Sequence, residues 1–343
     1  MNGSDLLRPI AGVYGAAVRS RLELYRRGFF HVRQAGRPVI SIGNVAVGGT
    51  GKTPFTLWLA SELQHFKQRP SILTRGYGRS GRGSLLVSGG AEPIAAAREA
   101  GDEPALLARA LPGVPILADA DRVRGAGRVE ALFPDVSVHL LDDGFSHVRL
   151  ARNVDIVLLD ATDPDAGGAL LPAGRLREPL ESLARADLIV ITKIEQASPE
   201  RALAVALRYA PGVPVYGART EVLGVADDRG EAVHPIDLPP GTVVGVCGIA
   251  RPDSFAATLE SLGISPTETL SFNDHARYGS FRLGRILRTL EETGATAVVT
   301  TEKDAVKLEG LLPVPIYRVR IRSRVVESSF MADLLTRLAQ KPS

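Results

Sequence analysis

Between residues 6 and 25 the apolar positions recur at steps of three and four. Leu6, Leu7, Ile10, Val13, Tyr14, Ala17, Val18, Leu22 and Tyr25 make one stripe of a helix, with Arg8, Gly12, Arg19, Glu23 and Arg26 on the other side. Ser4 or Asp5 can cap it, and Pro9 suits a first turn. From residue 38 the pattern changes to short apolar runs: PVISI (38–42), SILT (71–74), VPILA (114–118), SVHLL (137–141), VDIVLL (154–159) and DLIVIT (187–192). Each reads as a buried strand. Helical patterns over about 54–66, 102–110 and 121–132 lie between them. Strand and helix in alternation predict a parallel sheet covered on both faces.

Residues 213–235 break this rhythm. VYGARTEVLGV, a turn at Asp227-Asp228-Arg229-Gly230 and EAVHP predict a hairpin. Asp237-Leu238-Pro239-Pro240-Gly241 reads as a boundary. A second α/β unit follows, with strands at 242–247 (TVVGVC), 297–300 (AVVT) and 315–319 (PIYRV). The 343 residues fit two domains at about 150 residues each. The expected division is a helix at 1–30, a larger α/β domain at 31–212, a hairpin linker at 213–236 and a smaller α/β domain at 237–343.

Composition narrows the function classes. A single cysteine, Cys247, inside an apolar strand, excludes a disulfide framework and a Cys-built metal site. The net charge is +3, and residues 1–40 hold seven Arg against two acids, which leaves the remaining chain close to neutral. A nucleic-acid binder would spread basic charge over a domain-sized face, so no nucleic-acid partner is expected. A basic amphipathic helix followed by Phe29 and Phe30 suits an anionic membrane surface. The same stripe equally suits a helix packed on its own domain. No run of about 18 uncharged apolar residues predicts a membrane span. Arg19, Arg21 and Glu23 argue against a signal peptide.

The strand VISIGNV leads into Ala46-Val47-Gly48-Gly49-Thr50-Gly51-Lys52-Thr53. This follows the phosphate-loop pattern G-x-x-x-x-G-K-[ST], with Ala46 at the first glycine. The glycines let successive backbone N–H groups converge on phosphate oxygens, and the following helix N-terminus adds partial positive charge. Lys52 is placed for the β- and γ-phosphates of ATP and Thr53 for Mg²⁺. Asp142-Asp143-Gly144 follows the strand 137–141, where a phosphate-loop protein needs its acidic metal partner. Strand 187–192 ends in Thr192-Lys193-Ile194-Glu195, a near miss to the guanine-reading N-K-x-D. Glu195 could accept from a guanine edge, but Thr192 cannot supply the side-chain amide, so ATP is expected over GTP.

Several further stretches complete the pattern: Thr74-Arg75-Gly76-Tyr77-Gly78, Gly101-Asp102-Glu103-Pro104, Asp142 to His147 (DDGFSH), Leu171 to Pro179 (LPAGRLREP), Phe272-Asn273-Asp274-His275 and Thr301-Glu302-Lys303-Asp304-Ala305. Together with Ser41-Ile42-Gly43-Asn44 and the GGTGKTP of 48–54, they resemble the tetraacyldisaccharide 4'-kinase family, the lipid A kinases, in order over nearly the whole chain. The resemblance implies a P-loop NTPase-like α/β/α domain and a smaller α/β domain joined by a two-stranded β linker. It implies transfer of the ATP γ-phosphate to the 4'-hydroxyl of a tetraacylated glucosamine disaccharide 1-phosphate. The reaction would take place at the cytoplasmic face of the bacterial inner membrane, with no obligate protein partner. By the family pattern Asp102 is the base for the sugar hydroxyl and His275 assists it. Thr53, Asp142 and Asp143, with Glu103 or Glu178, manage Mg²⁺. Arg75, Tyr77, Arg122 and His147 are expected to contact the substrate. Ser146, where the family commonly has Gln, Ala276, where a second His is common, and Ala46 depart from the pattern. The alternative on the same features is a membrane-docked P-loop switch ATPase that acts through protein partners.

Overall fold

The computed structural model describes residues 3–340 other than 78, 80, 90–94, 96, 239–241 and 275. Helix α1 (Gly3–Arg26) opens the chain. There follow β1 (Val39–Gly43), α2 (Lys52–His65), β2 (Pro70–Thr74), β3 (Leu85–Ser88), α3 (Ala97–Ala100), α4 (Asp102–Ala110), β4 (Ile116–Ala118), α5 (Arg122–Leu132), β5 (Val138–Asp142), β6 (Val154–Asp160), β7 (Leu188–Thr192), α6 (Glu200–Tyr209) and β8 (Val215–Ala226). These strands lie in the order β8-β7-β6-β1-β5-β2-β4-β3. All neighbours are parallel except β3, which runs antiparallel along the edge. The expected parallel sheet is present. Its central strands read as unbroken apolar runs because both faces are covered: Ile40, Ile42, Ile72, Leu140, Ile156 and Val190 are buried.

The remaining elements are β9 (Ala232–Val233), β10 (Val243–Cys247), α7 (Pro252–Ser261), β11 (Glu268–Ser271), α8 (Ser280–Thr293), β12 (Ala297–Thr301), α9 (Glu302–Leu308), β13 (Ile316–Val325) and α10 (Phe330–Leu338). Strands β11-β10-β12-β13 pair in parallel, and β13 then pairs antiparallel with β8. The twelve-residue β8 thus belongs to both sheets.

Two features differ from expectation. The hairpin around Asp227–Gly230 exists, but only Val225 and Ala226 of β8 pair with β9. The long antiparallel partner of β8 is β13, from Arg318↔Ala226 to Val325↔Ala218. A partner about ninety positions downstream leaves no local turn signal. The last helix also returns to the first sheet. Phe330 of α10 packs against Phe55, Trp58 and Tyr216, with centroids 6.2, 5.5 and 5.2 Å apart. Leu334 and Leu338 are buried in the same core.

Helix α1 packs by a narrower face than its full apolar stripe. Ala11 is buried, and a Cβ on Gly15 would lie 2.6 Å from Leu170. The Tyr14 hydroxyl donates to the Arg177 carbonyl at 2.9 Å. Ile10 and Val13 point away, 56% and 73% exposed. One face of the helix is therefore packed on the domain, and one apolar edge is exposed.

Candidate active site

Parallel strands put their C-terminal ends on one side, and there β1, β2 and β5 deliver the predicted chemistry. The loop after β1 turns on Gly48 and Gly51, whose φ values of 119° and 82° lie in the left-handed region. Its outer wall is held by Val47 N–H donating to the Arg175 carbonyl at 2.8 Å and by a bridge between Ala46 and Leu176. Thr50 receives a hydrogen bond from Asn44 at 3.0 Å. Helix α2 starts directly at Lys52 with no side-chain cap, so its first N–H groups face the loop, as anion binding requires.

Lys52 Nζ donates to Asn44 Oδ1 at 3.1 Å and lies 3.6 Å from Asp143. Thr53 follows in the same first turn. Asp143 has φ 54° and receives both arms of Arg177, at 2.8 and 2.7 Å. Burial opposes its ionisation, but the Arg177 hydrogen bonds and the Lys52 charge outweigh it and hold the carboxyl well below the usual range. Asp142 behaves in the opposite way. Burial, with Glu103 and Asp143 close by, pushes it up to about 7. Only hydroxyls serve it, Thr56 at 3.3 Å and Thr74 at 3.5 Å. The two adjacent aspartates are thus chemically distinct: Asp143 is neutralised by Arg177, whereas Asp142 feels the Lys52 charge without a direct ion pair.

Among the described residues, no three His, Cys, Asp or Glu gather as a metal cluster. Asp142, Glu103 and the Thr53 hydroxyl nevertheless suit a hard divalent cation, which phosphate sites hold through few protein oxygens plus phosphate and water. Without a cation, the folded protein keeps a proton on Asp142 that the unfolded chain releases at an ordinary carboxylate pKa. Stability therefore falls as pH rises through about 4 to 7. Asp142→Asn should abolish that slope. In chelator its melting midpoint is expected to match the parent near pH 4 and exceed it near pH 8, by about 2–4 kcal/mol of stability at ~1.4 kcal/mol per pKa unit. Equal midpoints near pH 8 would remove Asp142 as a buried charge.

The other predicted residues divide into two groups. Asp102 and Glu103 open α4. Gly101, φ 93°, brings them close to the end of β2: a Cβ there would sit 2.5 Å from the Tyr77 carbonyl oxygen. Glu103 is near enough to raise Asp142. Arg122 at the start of α5 is buried, which lowers its pKa. Arg75 adds to that lowering, while Asp142 and Asp143 oppose it. His147 is pushed down to about 4 by burial and the Arg122 charge, so it is neutral near pH 7. Nε of Arg122, Nε2 of His147 and Nε of Arg177 are buried without a hydrogen-bond partner. Arg75 and Tyr77 are exposed at the rim.

Glu178 is placed elsewhere. Ser146 Oγ donates to its Oε1 at 2.6 Å, and Arg185 takes its Oε2. Both its oxygens are engaged, and they anchor the 146 turn. His275 lies outside the described residues.

Sequence reasoning missed four contributors. Arg177 and Asn44 hold the aspartate and the phosphate-loop lysine, and their signal was proximity to recognised motifs. Lys193 donates to the Gly49 carbonyl and pairs with Asp160, so the strand end that resembles a guanine reader braces the phosphate loop instead. Glu195 already accepts from Thr220 N at 3.0 Å and is not free to read guanine. Lys307 of α9 reaches across to Asp102, at 3.7 Å.

Residues 4–339 match the family described as tetraacyldisaccharide-1-P 4'-kinase. This chain belongs to that family. A tetraacyldisaccharide 4'-kinase from Anaeromyxobacter dehalogenans (strain 2CP-C) is 43% identical over 303 residues, 87% of this chain and 80% of its own. Its counterpart from Chlorobium limicola is 36% identical over 345 residues, 98% of each chain. The crystal structure of "apo" form LpxK from Aquifex aeolicus in complex with ATP superposes with a TM-score of 0.80 at 33% identity, covering 98% of this chain and 99% of that one. Membership of this kinase family does not favour the switch-ATPase alternative. In this kinase family member Lys307, from the second α/β part, stands beside Asp102 of the first.

Proposed function

We propose that the protein transfers the γ-phosphoryl group of ATP to the 4'-hydroxyl of a tetraacylated glucosamine disaccharide 1-phosphate. The reading is carried by one juxtaposition. The start of α4, bearing Asp102, stands beside the carboxylate pair that flanks the phosphate-loop lysine. Lys52 and the backbone N–H groups of the 46–53 loop that are not bonded within the protein, those of Gly48, Gly49, Gly51, Lys52 and Thr53 among them, bind the phosphates. Asp142 and Thr53, with Glu103, would hold Mg²⁺, which would offset phosphate charge. Asp143, already fixed by Arg177, positions Lys52. Asp102 takes the proton from the acceptor hydroxyl, assisted by His275. Arg75, Tyr77, Arg122 and neutral His147 line the acceptor side. Residues 31–212 and 237–343 act as the two walls, with 213–236 between them.

The acceptor is a lipid, so the enzyme works at an interface, the cytoplasmic face of the inner membrane. No helix among the described residues is long and apolar enough to cross a membrane. Ile10 and Val13 on α1, with Phe29, Phe30 and Val32 after it, form an exposed apolar edge among arginines. The double substitution Ile10→Glu/Val13→Glu is expected to weaken binding to anionic vesicles more than tenfold, since each apolar side chain contributes about 1.5–3 kcal/mol on burial. ATP affinity should not change. Unaltered vesicle flotation would assign membrane contact to another surface.

The deciding experiment supplies γ-labelled Mg-ATP and tetraacyldisaccharide 1-phosphate in micelles. Label in the lipid supports the reading. ATP hydrolysis without labelled lipid would overturn it.

A further inference from the structure

Helix α9 carries a charged device in which the motif residue Asp304 meets Lys307. Asp304 is fully buried, accepts from Gly248 N–H at 2.7 Å and from Thr301 Oγ1 at 2.9 Å, and pairs with Lys307 Nζ at 2.7 Å. Lys307 is itself 7% exposed. Its ammonium also donates to the Ala276 carbonyl at 3.1 Å and stands 3.7 Å from Asp102 Oδ2. A buried ammonium needs this number of partners, and three of its contacts come from three different segments. One is the carboxylate on α4; another is the backbone at Ala276.

We propose that Lys307 is a positioning residue for Asp102. From the opposite wall its charge attracts Oδ2 and biases the carboxylate toward the rotamer that turns Oδ1 to the acceptor hydroxyl. Asp304 anchors the ammonium so that it cannot turn toward solvent. The inference rests on the reading of Asp102 as the base. A carboxylate at the start of a helix, partly open to solvent, otherwise has several rotamers, and a misplaced base loses rate without any loss of substrate binding.

The test is a kinetic cycle with Lys307→Met, Lys307→Arg, Lys307→Gln, Asp102→Asn and the Lys307→Met/Asp102→Asn pair. Lys307→Met should lower kcat about 10–100-fold, the loss that a displaced catalytic group brings. KM for ATP should hold steady. Lys307→Arg should restore much of the rate, and Lys307→Gln, which can still donate to Ala276, should not. The paired variant should be no slower than Asp102→Asn alone, because Lys307 then has nothing to position. If the two losses multiply, or if Gln restores the rate, Lys307 acts otherwise and the inference is overturned. Full activity in Lys307→Met overturns it too. A fully active Asp102→Asn instead removes the base assignment itself, a separate failure. Should Lys307→Met not fold, Lys307→Met/Asp304→Asn leaves no unpaired buried charge and keeps the Gly248 hydrogen bond. That variant should show the same kcat loss, and wild-type turnover in it would equally refute the role.

Discussion

Replacing Lys52 by alanine is expected to lower phosphoryl transfer by about 10³-fold or more, the scale on which a missing cation or hydrogen-bond donor acts at a transferring phosphoryl group. The side chain lies between Asn44 and Asp143 and has no role in the packed core. Asp143 keeps its two-armed contact with Arg177 when Lys52 is gone. The variant should therefore fold, and a circular-dichroism melt close to the parent would show that the loss is chemical. The readout is label transfer from γ-labelled ATP to the lipid at saturating acceptor. Activity within tenfold of the parent would detach the phosphate loop from the reaction.

Asp102→Asn should reduce kcat by about 10²–10⁴-fold, the contribution of a positioned general base. Asparagine is nearly isosteric and sits well in the first turn of α4, so stability should change little. An amide can still hydrogen-bond the acceptor hydroxyl but cannot take its proton. The loss should thus appear in kcat, with KM for ATP unchanged, because the phosphate loop and α2 are untouched. A variant with parental kcat would transfer the role of base to another group.

Much of this was legible in the chain. The strands β1, β2, β5, β6 and β7 were visible because burial on both faces leaves an unbroken apolar run. The phosphate loop was visible because its glycines and Lys-Thr pair have few other uses together. β13 was recognised only at its start, since arginines at 318, 320, 322 and 324 alternate with other residues and mask the apolar half of the strand. Non-local pairings were illegible for a deeper reason. Nothing near Glu178 announces that Arg185 and Ser146 will occupy it, and nothing near Lys307 announces Asp102. Those partners meet only after the sheet and its crossovers are in place.

The return of α10 to the first core also bears on how the chain matures on the ribosome. Phe330, the ring that covers Phe55 and Trp58, is synthesised well after them, with the whole second part in between. The first part therefore cannot complete its core as an independent unit while the second is being made, unlike the stepwise, domain-by-domain maturation of simpler tandem proteins. A chain released early, before residue 330, would carry an uncovered aromatic surface on α2 and invite capture by chaperones or proteases. The first core is thereby closed only in molecules whose translation has passed residue 330.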